Sequence, residues 1–288
     1  MKIIEASFQN WFVQCIPEDG ARISILRFEG MDLLTSSPSS FNAPDQFYGE
    51  YETRPVYGYD DCFPTVDPCL YPEGEFECRD HGNICWKKWS VNVTGNSLVC
   101  SVDCAQPNVK FIRTLEFAGN RLIWKFEVKN LSDKKNVFLH VMHPLLPLRE
   151  IKSIKLPGFA RMVNETNLVE PDGKNSIEGA LDLLSIQPGG YEMILLQEIK
   201  EGLVILGFRN GMDLHFHFDN KMFPTLGIWW NNAAYPDQDG LRRTECAFEP
   251  IPGTSSNLYN SFIDKTYLSV NKGKSLCWDV IWEMKNEK

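Results

Sequence analysis

Apolar and polar residues alternate with a period of two along much of this chain, and the alternation breaks at turn-forming pairs. Between residues 113 and 128, Leu115 and Phe117 alternate with Thr114 and Glu116, and Gly119-Asn120 supplies a tight turn. Leu122, Trp124, Phe126 and Val128 then alternate with Ile123, Lys125 and Glu127. Side chains on a strand point to opposite faces in turn, so this segment predicts a hairpin with one apolar face. Residues 204–219 repeat the pattern around Asn210-Gly211, with Leu214, Phe216 and Phe218 on one face. A third pair is predicted over 91–93 and 97–102, around Gly95-Asn96. A helical stripe is visible only weakly, near 175–184. Prolines cluster at 64–72 and 144–157, which predicts long ordered loops crossing the sheet edges.

Strands this regular need their edges protected, so the sheets must stack or close. No repeat of roughly 40–50 residues marks a propeller, and no linker or low-complexity tract divides the chain. The expectation is an all-β, large antiparallel β-sandwich spanning residues 1–288 as one domain.

Composition adds exclusions. The formal net charge of -9 argues against nucleic acid or an anionic membrane as partner. No apolar run approaches the roughly 18 residues of a membrane span, and the opening Met1-Lys2-Ile3-Ile4-Glu5 has no leader pattern. The nine cysteines form no C-x-x-C pair, and the spacing of Cys62, Cys69, Cys78 and Cys85 does not suit a zinc knuckle. Reduced thiols and a cytoplasmic location are the expectation.

Three short segments carry the candidate chemistry: Asp80-His81-Gly82, His140-Val141-Met142-His143-Pro144 and Cys246-Ala247-Phe248-Glu249-Pro250. General acid–base work at neutral pH calls for a side chain with a pKa near 7 and a positioned carboxylate. His143 falls at the end of an apolar strand, whereas His140, three residues earlier, faces the other way and suits the core. Glu249 lies among apolar neighbours that desolvate it and raise its pKa, making it a usable base unless Arg242 or Arg243 pairs with it. His81 reads either as a loop residue bonded to backbone or as a third site member. His215-Phe216-His217 puts two histidines on one strand face, as in cupin metal sites. Such a site wants a carboxylate at short spacing, and Lys221 and Met222 follow instead. No metal is expected there, and Asp213, His215 and His217 also fit a solvated face.

Together with Asn130-Leu131-Ser132-Asp133 and Phe223-Pro224-Thr225-Leu226-Gly227-Ile228-Trp229-Trp230-Asn231, these segments and their order resemble the aldose 1-epimerase (galactose mutarotase-like) superfamily. The resemblance spans residues 60 to 255. It implies a β-supersandwich with the site on a concave face. It also implies Glu249 as base on the anomeric hydroxyl, His143 as acid on the ring oxygen, and His81 as a further contact to ring oxygen or hydroxyl. Substrate contacts expected alongside them are Asp61, in Tyr57-Gly58-Tyr59-Asp60-Asp61-Cys62-Phe63-Pro64, with Arg54, Asn231, and the rings of Trp230 and Trp86. Hexose-6-phosphate epimerases of this fold carry an arginine shortly after the first histidine, where this chain has Ile84-Cys85. The expected function is therefore interconversion of the anomers of a free aldohexose, without cofactor, in a monomer or homodimer. A non-catalytic sugar-binding protein on the same scaffold is the main alternative, with a phosphosugar epimerase and a cupin-like metalloenzyme behind it.

Overall fold

A computed structural model describes residues 1–72, 74, 76–165, 170, 175–185 and 187–287. The predicted hairpins are present. Val109–Ala118 pairs antiparallel with Arg121–Asn130, Leu203–Phe208 with Met212–Phe218, and Ser90–Thr94 with Ser97–Cys104. In Arg121–Asn130 every second residue from Leu122 onward is buried, as the alternation requires.

These strands belong to an eight-stranded antiparallel sheet. Its order runs Ile151–Lys155, Leu203–Phe208, Met212–Phe218, Ser275–Asn286, Arg121–Asn130, Val109–Ala118, Ser97–Cys104, Ser90–Thr94. A second sheet orders Ile4–Phe8, Trp11–Ile16, Arg22–Phe28, Tyr59–Cys62 and Val141–Pro144, with Met31–Asp32 beside Arg22–Phe28. A third, four-stranded sheet orders Arg161–Asn164, Gly190–Gln197, Thr225–Asn232 and Thr244–Ile251. One isolated antiparallel bridge, Leu146 to Cys246, joins the second sheet to the third. Its two hydrogen bonds, Leu146 N–H to Cys246 O at 2.8 Å and Cys246 N–H to Leu146 O at 3.1 Å, close that seam.

One core runs between the layers. Trp124, Trp282, Phe126 and Phe216 of the eight-stranded sheet share it with Trp11, Tyr59, Ile228 and Phe248 of the other two. Each such side chain contributes on the order of 2–3 kcal/mol by leaving water, so the stacked arrangement follows from the apolar faces already visible in the sequence. Arg113 is the exception on its strand. It sits in phase with Phe111 and Leu115, fully buried, and is neutralised by Asp61.

Two α-helices are present among the described residues. Ile177–Leu184 lies where the weak stripe predicted it, with the Ser176 hydroxyl accepting from Gly179 N–H at 3.0 Å. Leu258–Ile263, capped by Asn257, has too few turns to show a stripe in sequence. The proline-rich 144–157 stretch is more regular than expected. It contains the Leu148–Glu150 turn and the Ile151–Lys155 strand, which forms an edge of the eight-stranded sheet. Among the described residues no helix is long and apolar enough to cross a membrane.

Candidate active site

The seam between the second and third sheets positions the chemistry. Three residues along each strand from the Leu146–Cys246 bridge, antiparallel register brings His143 opposite Glu249, and their Nε2 and Oε1 atoms are 3.7 Å apart. His81 comes from a turn between strands. His81 and Gly82 both hold left-handed backbone, at φ 57° and 74°. A Cβ on Gly82 would lie 2.2 Å from the Phe63 carbonyl oxygen, so only glycine lets this turn press against Phe63. The His81 ring then sits 4.9 Å from that of His143, centroid to centroid. His81 Nδ1 is 2.7 Å from Asp80 Oδ1, and Asp80 Oδ2 accepts from Tyr51 N–H at 3.0 Å, which orients the imidazole.

His81, His143 and Glu249 line one cavity of about 380 Å³. Its floor is the inner face of the four-stranded sheet: Tyr191, Met193, Trp229, Glu245 and Glu249, with Glu165 at the end of Arg161–Asn164. Gly227 pairs directly with Glu249. A side chain at Gly227 would meet Met193 Cε at 3.2 Å and Glu249 Cβ at 3.5 Å, so the glycine keeps space beside the carboxylate.

Electrostatics in the cavity follow from burial. Glu249 is 2% exposed. Burial raises its pKa to about 8, and repulsion from Glu165 and Asp67 adds to the shift. Burial likewise raises Glu165 to about 7, with Asp67 adding, and pushes the Asp67 carboxyl up. His143 moves the opposite way. Burial and the neighbouring His81 and arginines push its imidazole well below the ordinary range. Its Nδ1 is buried without a hydrogen-bond partner. Burial thus favours the neutral form of both Glu249 and His143, which biases the facing pair toward a single shared proton.

Arg243 is the one arginine or lysine among the described residues lining this cavity. It does not pair with Glu249. Its two terminal nitrogens bind Glu52 at 2.9 and 3.0 Å, and its Nε binds Glu245 at 2.8 Å.

The expected substrate contacts are placed elsewhere. Asp61 is fully buried in the core, where Arg113, His140 at 3.0 Å and the Tyr59 hydroxyl at 2.6 Å occupy its carboxylate. Burial alone would raise its pKa, but Arg113, His140 and the Tyr59 hydroxyl together outweigh that and hold it below the usual range. Arg54 donates to Cys85 O at 2.7 Å and to Asp19, and it lines the neighbouring cavity beyond Glu52 and Arg243 rather than the one that holds His143 and Glu249. Trp86 has Arg79 over its ring at 4.0 Å and Arg54 at 5.3 Å, and it does not line the cavity. Trp230 points into the main core, and its neighbour Trp229 lines the cavity instead. Asn231 is spent on the turn that follows. Its amide donates to Tyr235 O at 2.7 Å, and its Oδ1 accepts from Tyr235 N–H at 2.9 Å.

His215 and His217 stand on the outer face of Met212–Phe218, with His217 3.8 Å from Glu283. No cluster of three or more metal-ligating side chains occurs among the described residues.

Sequence reasoning missed Asp67, Glu165, Glu245, Trp229, Tyr191 and Tyr235. The i, i+4 spacing of Glu245 and Glu249 around the small Ala247 was the signal available, since it puts both carboxylates on one strand face.

No protein-family model matches the chain, and no curated protein matches it in sequence. Solved structures do match its fold. The Slr1438 protein of Synechocystis superposes with a TM-score of 0.74 at 16% identity, over 99% of this chain and 96% of that one. A galactose mutarotase-like protein of Clostridium acetobutylicum gives 0.70 at 14% identity, over 99% and 95%. A galactose mutarotase related enzyme of Lactobacillus acidophilus gives 0.68 at 15% identity, over 100% and 98%. The chain therefore has the galactose mutarotase-like β-sandwich fold along its whole length.

Proposed function

We propose that this protein is an aldose 1-epimerase, interconverting the α and β anomers of a neutral aldose by acid–base ring opening. The observation that carries the reading is the buried His143–Glu249 pair, 3.7 Å apart on the lining of the cavity, with burial raising the carboxyl and lowering the imidazole. Mutarotation needs one proton taken from the C1 hydroxyl and one given to the ring oxygen. With the proton on His143, ionised Glu249 takes the hydroxyl proton while His143 protonates the ring oxygen. The C1–O5 bond breaks, C1 becomes a carbonyl carbon, and rotation about C1–C2 presents its other face. Closure reverses both transfers and leaves the pair with its single proton. His81, held by Asp80, contacts the ring oxygen or an adjacent hydroxyl.

Charge supports a neutral substrate. Arg243 is paired with the carboxylates of Glu52 and Glu245, so among the described residues the cavity offers no unpaired arginine or lysine to a phosphate or carboxylate. The names carried by structures of this fold support the same chemistry.

Glu249→Gln keeps shape and hydrogen-bonding capacity but removes the base. Polarimetry of freshly dissolved α-glucose and α-galactose should show the variant slower by roughly 10²–10⁴-fold, the size of a general-base contribution. Calorimetric binding should change much less. Sugar binding by the wild type with no acceleration of anomer decay would instead favour a binding protein.

A further inference from the structure

Cys69 and Cys78 face each other across a short antiparallel pair, Cys69–Leu70 against Glu77–Cys78, and both are thiols in this structure. We infer that they form a reversible disulfide, made by exchange with a low-molecular-weight disulfide, which fastens the hairpin that presents His81 to the cavity.

Position is the first argument. Directly opposed residues of an antiparallel pair have Cα atoms about 4.5–5.5 Å apart, inside the roughly 4.4–6.8 Å that a disulfide spans. The bond therefore needs no backbone movement. Backbone hydrogen bonds hold the hairpin on both sides of the pair. Tyr71 N–H donates to Phe76 O at 2.7 Å toward the tip, and His81 N–H donates to Val66 O at 2.7 Å toward the base. One leg carries Val66 and Asp67, the other carries His81, and all three line the cavity of Glu249. A bond from Cys69 to Cys78 would tie these legs together three residues from Val66 and three from His81.

Reactivity is the second. The two thiols are hydrogen-bonding partners but are unequal. Cys69 is half-buried, whereas Cys78 is buried. The Cys78 thiol, joined by the Tyr259 N–H, favours the Cys69 thiolate against burial and holds Cys69 below the ordinary thiol range. Cys78 moves the other way, pushed up by Cys69 and by burial. Cys69 is thus both the sulfur that a reagent meets and the nucleophile. Its thiolate attacks one sulfur of the reagent RS–SR and expels RS⁻, leaving a mixed disulfide. Cys69 then carries no charge to keep Cys78 protonated. Cys78 gives its proton to solvent and attacks Cys69 Sγ, and the second RS⁻ leaves. Two protein thiols are oxidised and one reagent disulfide is reduced to two thiols. Cys15 and Cys100 also share a hydrogen bond, but both are sealed in the main core, out of a reagent's reach.

Oxidised glutathione is the probe, with Cys277→Ser as the parent protein because Cys277 is exposed and would react on its own. After alkylation of the remaining thiols, peptide mapping of the parent should show a cross-link between Cys69 and Cys78 that dithiothreitol reverses. Adding Cys78→Ala should stop the reaction at a glutathione mixed disulfide on Cys69. Adding Cys69→Ala should leave Cys78 unmodified. Hydrogen exchange reads the fastening: the His81 N–H should exchange slower by roughly tenfold or more in the oxidised parent, because opening of the hairpin is what exposes it. A parent protein that keeps both thiols, or that stops at a mixed disulfide on Cys69, overturns the inference. So does His81 exchange that is equal in the two forms.

Discussion

Tyr51 lies flat on His81, with ring centroids 3.7 Å apart and planes 11° from parallel. The Tyr51 hydroxyl donates to Asp60 at 2.6 Å, and Asp60 is in turn bound by Arg22 at 2.8 Å. A chain of buried polar contacts thus runs from the core to the face of a candidate catalytic ring. Tyr51→Leu keeps the apolar volume but removes the stack and the link to Asp60. Stacked aromatic pairs contribute about 0.5–1.5 kcal/mol, so kcat should fall up to about tenfold with little change in KM. A raised KM at unchanged kcat would mean that Tyr51 binds sugar directly rather than positioning His81.

The shared proton fixes the expected pH profile. Burial holds Glu249 at about 8 and His143 well below the ordinary imidazole range, so the pair carries one proton between those limits. The rate should be level at neutral pH and fall as pH rises through about 8, where the pair loses that proton. It should fall again in acid, where His143 and Glu249 are both protonated. These limits belong to the pair and not to either residue. A rate that instead climbs through pH 8 to a plateau would show Glu249 acting alone, with no acid role for His143.

Glu249 also links activity to stability. Its folded pKa of about 8 lies above the unfolded carboxyl value of about 4.3. A group raised in this way stabilises the fold fully below the unfolded value, and that contribution is lost as pH rises to the folded one. Glu249→Gln has no such loss. Thermal melts should therefore show the variant gaining on the wild type between pH 6 and pH 9, and exceeding it at pH 9. A wild type at least as stable as the variant at pH 9 would show that the carboxylate is compensated in the fold.

Asp61 separates structure from binding. Asp61→Asn leaves Arg113 buried with no counter-charge, and breaking a buried pair in this way costs about 3–5 kcal/mol. The midpoint of unfolding should drop sharply while the KM of the surviving folded protein stays near wild type. A changed KM without loss of stability would return Asp61 to the substrate site.

Much of this architecture was legible in the chain. The hairpins over 113–128 and 204–219 bury one face and expose the other, so local alternation sets their phase and turn residues set their register. Histidine and glutamate beside turn-forming residues marked the candidate chemistry for the same local reason. The strands that carry the site gave no such signal. Tyr59–Cys62 and Val141–Pro144 are buried on both faces, and Thr225–Asn232 nearly so. With no polar face to fix the phase, Asp61 could not be told from Asp60, nor Trp229 from Trp230, and in both cases the neighbour of the expected residue stands nearer the cavity.

The meeting of His143 and Glu249 was decided only by the tertiary structure. It depends on the bridge between Leu146 and Cys246, a pairing between segments far apart in the chain. Side-chain period is a property of each strand alone, but the offset between two such strands is set by how their sheets pack. That is why the residue types of the site could be read from the sequence and their opposition could not.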